Sequence, residues 1–164
     1  EFEVSQKLGF LGSWAENLWV FANYSTQKKS ANQDATGKLG ATAENYGAGG
    51  LAFDAKRWQV RLNATWRDDN ITRDLGEYPL WDSEGEEIGT TTIFEYEPAE
   101  WRLDASATYR INERYSIFAS GRNITNTRTI RKYFDSEGVM PEYSQVFDHR
   151  YFGFQWTIGV RASF

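Results

Sequence analysis

Cysteine is absent from the chain, which excludes a disulfide framework and any thiolate metal site and fits an oxidising compartment. No run of about 18 apolar residues occurs, so a transmembrane helix is excluded. Positive charge is in deficit: the net charge of -5 argues against nucleic acid, which attracts basic surfaces. The start of the chain has no basic and apolar leader, so the expectation is a removed signal peptide or a chain that begins within a longer protein. Aliphatic residues are few beside the rings. Aromatics make up 16% of the 164 residues, with 7 Trp, 9 Tyr and 11 Phe, yet the mean hydropathy is -0.64. A soluble core with that many rings calls for more Leu, Ile and Val. A transmembrane barrel resolves the conflict, because it needs apolar residues only at alternate positions, has a polar lumen, and carries aromatic girdles at its rims.

What is present is alternation of period two, with no helical periodicity. In the last strand Phe152, Phe154, Trp156, Ile158, Val160, Ala162 and Phe164 share one face, opposite Tyr151, Gly153, Gln155, Thr157, Gly159, Arg161 and Ser163. At roughly 3.3 Å per residue it spans over ~40 Å, enough to cross a bilayer core at a tilt. Trp58, Val60, Leu62, Ala64 and Trp66 alternate with Gln59, Arg61, Asn63, Thr65 and Arg67. Trp101, Leu103, Ala105, Ala107 and Tyr109 alternate with Arg102, Asp104, Ser106, Thr108 and Arg110. Rings at both ends with small aliphatics between them are what a lipid-facing strand needs. Four weaker strands are predicted over Phe2 to Leu8, Leu18 to Thr26, about Tyr46 to Asp54, and Tyr115 to about Asn126. The outward side of Leu18 to Thr26 stays open, because both faces carry apolar residues. Gly47, Gly49 and Gly50 mark a bend or bulge.

Short connections are predicted at Ala55-Lys56-Arg57 and Asn112-Glu113-Arg114, with a longer one around Gly9 to Asn17. Long polar ones are predicted from about Gln27 to Asn45, Asp68 to Glu100 and Thr127 to Arg150. This alternation of short turns and long loops is that of outer-membrane barrels. Asp82-Ser83-Glu84-Gly85 recurs as Asp135-Ser136-Glu137-Gly138, which reads as reuse of a turn. Seven strands place the two termini at opposite rims, whereas a complete bacterial barrel has an even number. The expectation is therefore an all-β chain, residues 1–164 being one C-terminal segment of a larger antiparallel transmembrane β-barrel.

Four elements resemble the TonB-dependent outer-membrane receptors. They are Leu103-Asp104-Ala105-Ser106-Ala107-Thr108-Tyr109-Arg110 before a short Asn-containing turn, Gly121-Arg122-Asn123-Ile124-Thr125-Asn126 on the penultimate strand, Phe21-Ala22-Asn23-Tyr24-Ser25, and the terminal Gly159-Val160-Arg161-Ala162-Ser163-Phe164. The resemblance implies a 22-stranded barrel around an N-terminal plug domain, with a segment that contacts a TonB-type energy transducer of the inner membrane. Plug, coupling segment and about two-thirds of such a barrel have no counterpart here. It further implies a bacterial outer-membrane location and energy-coupled uptake of a bulky scarce nutrient, such as an iron-siderophore, cobalamin or an oligosaccharide. No catalysis, metal or cofactor is implied. Expected partners are outer-membrane lipid, the plug and transducer, a small-molecule substrate, and the barrel-assembly machinery, which would engage Trp156, Ile158, Val160 and Phe164.

Among the loop rings Tyr78, Trp81, Phe94, Tyr133, Phe134 and Tyr143, the substrate-stacking candidates are Tyr78, Trp81, Tyr133 and Phe134; rim anchoring or loop packing is the plainer reading. His149 is the single histidine, so a metal site there would rest on carboxylates such as Asp148, and a polar strand end is preferred. A Ser144–His149 catalytic pair lacks an oxyanion hole and an orienting acid. Asp82, Glu84, Glu86 and Glu87 lack calcium-loop spacing and read as solvated acids. Arg61, Arg67, Arg102, Arg110, Arg122 and Arg161 are expected in the lumen, holding wall and plug in register with Asp104 and neighbouring Glu residues rather than guiding an anion. Asn-X-Ser/Thr sites such as Asn123-Ile124-Thr125 carry no glycosylation argument in a bacterial barrel. Two alternatives remain: a small self-standing outer-membrane barrel for adhesion or structure, its eighth strand drawn from Thr90 to Tyr96 or from an N-terminal extension, and a soluble carbohydrate-binding β-sandwich.

Overall fold

The computed structural model describes residues 1–27 and 43–163. Phe164 and most of the long connection after Gln27 lie outside the described residues. The strands are β1 (Phe2–Lys7), β2 (Leu18–Thr26), β3 (Asn45–Asp54), β4 (Trp58–Arg67), β5 (Asn70–Trp81), β6 (Glu87–Glu97), β7 (Glu100–Arg110), β8 (Tyr115–Arg122), β9 (Thr129–Asp135), β10 (Val146–Arg150) and β11 (Gln155–Ala162). Two 3-10 turns, Gly9–Leu11 and Ser13–Ala15, and one turn of α-helix, Glu142–Gln145, complete the described elements.

The fold is all-β, in two antiparallel sheets. The first has seven strands in the order β1-β2-β3-β4-β7-β8-β11, and these are the seven strands that period-two alternation predicts. It is an open sheet: among the described residues nothing pairs with the outer edges of β1 and β11, so no barrel is closed. The second sheet runs β10-β9-β6-β5, and it corrects the expectation that residues 68–100 and 127–150 are loops throughout. Few aliphatic residues alternate along these strands, so no long apolar stripe betrays them. What makes them strands is β-branched and aromatic content, as in Thr90-Thr91-Thr92-Ile93-Phe94. Pro79 is tolerated in β5 because β5 is an edge.

The two sheets share one strand order. After short interruptions β5, β6, β9 and β10 continue β4, β7, β8 and β11, and β6 pairs with β9 above the pairing of β7 with β8. Four strands thus pass from one sheet into the other as two long hairpins. The sheets lie end to end rather than face to face, and the only buried apolar residues described are Ala15 and Ala43. Residues 90–96 fall within β6, paired with β5 and β9, so they supply no eighth strand to the first sheet. β8 ends at Arg122, and Asn123 to Asn126 form a turn in place of the expected last part of that strand.

Candidate functional site

Residues directly opposite one another in an antiparallel ladder share a face, so the pairing register sorts every side chain of the first sheet. One face carries Phe2 and Val4 of β1, then Leu18, Val20, Ala22 and Tyr24 of β2, followed by Gly47, Gly49, Leu51 and Phe53 of β3. It continues through Trp58, Val60, Leu62, Ala64 and Trp66 of β4 and Trp101, Leu103, Ala105, Ala107 and Tyr109 of β7. It ends with Tyr115, Ile117, Ala119 and Gly121 of β8 and Trp156, Ile158, Val160 and Ala162 of β11. No charged residue stands on it. Its polar members are Gln6, Thr26 and Asn45, near strand ends. The register also settles β2, whose apolar-side residues are Leu18, Val20, Ala22 and Tyr24.

The rings on this face form two rows. Phe53, Trp58, Tyr109 and Tyr115 lie toward the short turns, and Phe2, Tyr24, Trp66, Trp101 and Trp156 lie toward the long hairpins. From Trp58 to Trp66 is about 26 Å along the strand. Trp58 packs on Tyr109 at 4.6 Å between centroids and Trp66 on Trp101 at 6.0 Å. The Tyr24 hydroxyl donates to Asn45 Oδ1 at 2.7 Å, and Asn45 Nδ2 donates to Asp68 Oδ2 at 2.8 Å. The bond from Asn45, with that from the Asp69 backbone N–H, holds the Asp68 carboxyl below its ordinary range. Desolvation, reinforced by the Asp69 charge, raises the nearby Tyr96 phenol.

Among the described residues of this sheet four glycines stand opposite an aromatic, Gly47 opposite both Tyr24 and Trp66. Trp66 faces Gly47 and Trp156 faces Gly121 on the apolar side; Phe21 faces Gly50 and Phe118 faces Gly159 on the polar side. The ring covers the bare backbone of its partner. A Cβ at Gly121 would stand 3.2 Å from the Trp156 ring, and one at Gly159 2.6 Å from the Phe118 ring. At Gly50 it would also stand 2.1 Å from the Leu62 carbonyl oxygen, so backbone itself forbids a side chain there.

The opposite face is polar. Where its four shared strands pass into the second sheet, charges link them: Arg67 of β4 pairs with Glu97 of β6 at 3.2 Å and Glu100 of β7 at 3.3 Å. Arg131 of β9 pairs with Glu97 at 2.7 Å, and Arg102 pairs with Glu100. Glu100 is buried, and Thr129 also donates to it, at 3.1 Å. Arg67 therefore ties neighbouring strands together, as expected, whereas the Arg102–Glu100 pair lies within β7 and Arg102 reaches β9 through Thr129 Oγ1 at 3.3 Å. Arg61, Arg110, Arg122 and Arg161 form no ion pair among the described residues. The carboxylate of Asp104 is taken up by the backbone N–H of Asn123 at 2.8 Å, not by an arginine.

The turn after β8 is a knot of hydrogen bonds around Asn123, which has φ 53°. Its side chain accepts from Thr127 N at 2.9 Å and donates to the carbonyls of Thr127 and Gly153 at 3.0 and 3.1 Å. Thr127 Oγ1 donates to the Trp101 carbonyl, and Arg128 lies over the Tyr151 ring at 5.2 Å.

The four substrate candidates do not converge. Trp81 stands exposed at the hairpin tip and Tyr78 lies opposite Thr91. Tyr133 and Phe134, adjacent on β9, point to opposite sides. Tyr133 stacks on Phe147 at 4.2 Å, a partner that the sequence reading did not single out, while Phe134 pairs with Phe94. Trp156, Ile158 and Val160 are among the most exposed rings and aliphatics, at 58%, 75% and 68%; Phe164 lies outside the described residues. His149 is exposed on β10 opposite Ile130, and the described residues hold no cluster of metal ligands. The side chains of Tyr143 and Ser144 lie outside the described set. The repeated Asp-Ser-Glu-Gly is a turn in both copies. Asp82 Oδ1 accepts the N–H of Glu84 and Glu86, each at 2.9 Å. The carboxylate of Asp135 accepts those of Val139 and Met140 at 2.7 and 3.2 Å. Gly85 and Gly138, both at positive φ, complete the turns.

Compared with protein-family models, curated proteins and solved structures, the chain matches none of them.

Proposed function

We propose that the chain is the C-terminal arc of a bacterial outer-membrane β-barrel of the TonB-dependent receptor class, a transporter wall for energy-coupled uptake of a bulky scarce nutrient such as an iron-siderophore, cobalamin or an oligosaccharide. The observation that carries this reading is the register: seven strands align one uncharged apolar face between two rows of rings, and nothing described covers it. Such a face suits lipid, with Trp and Tyr at the two interfaces. In hydrocarbon the bare edges of β1 and β11 are untenable, so further strands complete the wall.

On this reading the polar face lines the lumen beside a plug domain that reaches the inner-membrane energy transducer. The hairpins β5–β6 and β9–β10 stand on the extracellular side, where Tyr78, Trp81, Tyr133 and Phe134 meet substrate as separate contacts. The assembly machinery engages Trp156, Ile158, Val160 and Phe164. A soluble sandwich would need its sheets face to face over a shared core, and the end-to-end arrangement does not favour it.

The absence of cysteine makes the test direct. Single cysteines are introduced at Leu62, Ala105 and Ile117, and at Asn63, Ser106 and Ser116, in the receptor in outer-membrane vesicles. A water-soluble maleimide should label the second group and spare the first, while a lipid-phase reagent does the reverse. Equal labelling of both groups would defeat the membrane reading.

A further inference from the structure

At the short-turn rim, the polar face brings three arginines to the lining of one open pocket of about 180 Å³: Arg110 of β7, Arg114 of the following turn and Arg161 of β11. Ser116 of β8 is the direct ladder partner of both Arg110 and Arg161. Two long cationic side chains therefore flank a small hydroxyl, with no bulk between them. Glu113 also lines the cavity, so three arginines less one glutamate leave a local charge of +2. This stands in a chain whose net charge is -5. None of the three arginines forms an ion pair among the described residues.

The backbone that carries Arg114 is held in place. Asn112 Oδ1 accepts the backbone N–H of Arg114 and Tyr115, each at 2.9 Å, which fixes the turn beneath Arg114. The Ser163 N–H donates to the Arg114 carbonyl at 2.9 Å and ties the turn to the end of β11. The Arg161 guanidinium lies 5.8 Å over the Phe118 ring, which itself covers Gly159. Unshared like charges at close quarters repel, and an anion between them relieves this. Guanidinium forks match phosphate oxygens two by two. A lone carboxylate would leave the cavity positive, whereas a dianion neutralises it.

We propose that this cavity binds a phosphate group as its dianion, with Arg110, Arg114 and Arg161 as the ligating forks and Ser116 as a further donor. The chemistry is common to free phosphate and to a phosphate monoester. The proposal uses the polar face alone and does not depend on what covers the apolar one.

The test takes the whole receptor that carries this chain, purified in neutral detergent, at about pH 8, where a monoester is dianionic. Inorganic phosphate and glycerol 3-phosphate are titrated separately at constant ionic strength, and phosphorus NMR linewidth is read. Saturable broadening is expected, with binding weakened about tenfold or more in Arg110→Gln and Arg161→Gln and less in Arg161→Lys, which keeps the charge but loses the fork. Arg61→Gln, on the same face but outside the cavity, should bind as the parent does. Arg114→Gln, on a turn outside the ladder, serves if a strand variant fails to fold. Binding of the ester alone assigns a phosphorylated ligand; equal binding assigns free phosphate. No saturable binding of either, or an equal loss in Arg61→Gln, overturns the proposal.

Discussion

The side-chain amide of Asn123 donates to the main-chain carbonyl of Gly153 across 3.1 Å, joining the turn after β8 to the approach of β11. The same side chain closes its own turn through both polar groups of the Thr127 backbone. One residue thus sets where two neighbouring strands leave the first sheet.

Asn123→Ala should lose three side-chain hydrogen bonds, each contributing about 0.5 to 1.5 kcal/mol. It also places a Cβ residue without local hydrogen bonding at φ 53°, a further cost of about 1 kcal/mol. Asn123→Gly removes the bonds and is spared the second cost, so it should be the less damaging of the two. Denaturant unfolding of the whole receptor in detergent, followed by tryptophan fluorescence, measures the difference; equal losses would show that the backbone conformation carries no strain.

Two glycines of the polar face should respond differently to rescue. Gly159→Ala collides with the Phe118 ring alone, so Phe118→Ala in the same chain should recover most of the lost stability. Gly50→Ala meets the Leu62 carbonyl oxygen as well as Phe21, and Phe21→Ala should not recover it. Each single substitution is expected to cost about 1 to 3 kcal/mol or more. Thermal melts of the two double variants decide the matter.

Charge placed on the apolar face should be expensive. Leu62→Arg and Ala105→Arg, which are direct ladder partners, are expected to cost about 2 to 4 kcal/mol in a bilayer, and Asn63→Arg and Ser106→Arg much less. Equilibrium unfolding from liposomes gives the comparison, and equal costs at adjacent positions would reverse the assignment of faces.

Acid should loosen the strap from Asn45 to Asp68. A carboxyl whose folded value is depressed contributes stability that is complete above its unfolded value and is lost as pH falls through the folded one. Melting temperatures taken from about pH 6 down to about pH 3 should therefore fall more steeply for the parent than for Asp68→Asn. Parallel curves would mean that the bond from Asn45 adds nothing.

The seven strands of the first sheet were legible because one side of each is mainly apolar; Trp58 to Trp66 and Trp101 to Tyr109 announce themselves. Thr90 to Glu97 was legible only as a possible eighth strand, since Thr90, Thr92, Phe94 and Tyr96 on one side include no aliphatic residue, and only the pairing places it in the second sheet. The side of β2 was hidden for another reason. Trp19 and Phe21 lie on the polar face, and Phe21 is there to cover Gly50, a relationship that needs the register and cannot be counted off along the chain. The candidate rings were legible as residues but not as a group: Tyr133 found Phe147, which lies before the alternating run that begins at Phe152. Arg110 and Arg161 were read as wall charges because their common partner, Ser116, lies on a different strand from both.

The ladder between β6 and β9 has a consequence for recognition. Two separate loops would each lose conformational freedom on meeting a ligand, and that loss subtracts from affinity. Here backbone hydrogen bonds join the two hairpins, so their ordering is already complete when the chain folds. On the proposed reading, a ligand arriving at β5 to β10 meets a preorganised palisade, and its binding free energy is not spent on gathering loose chain.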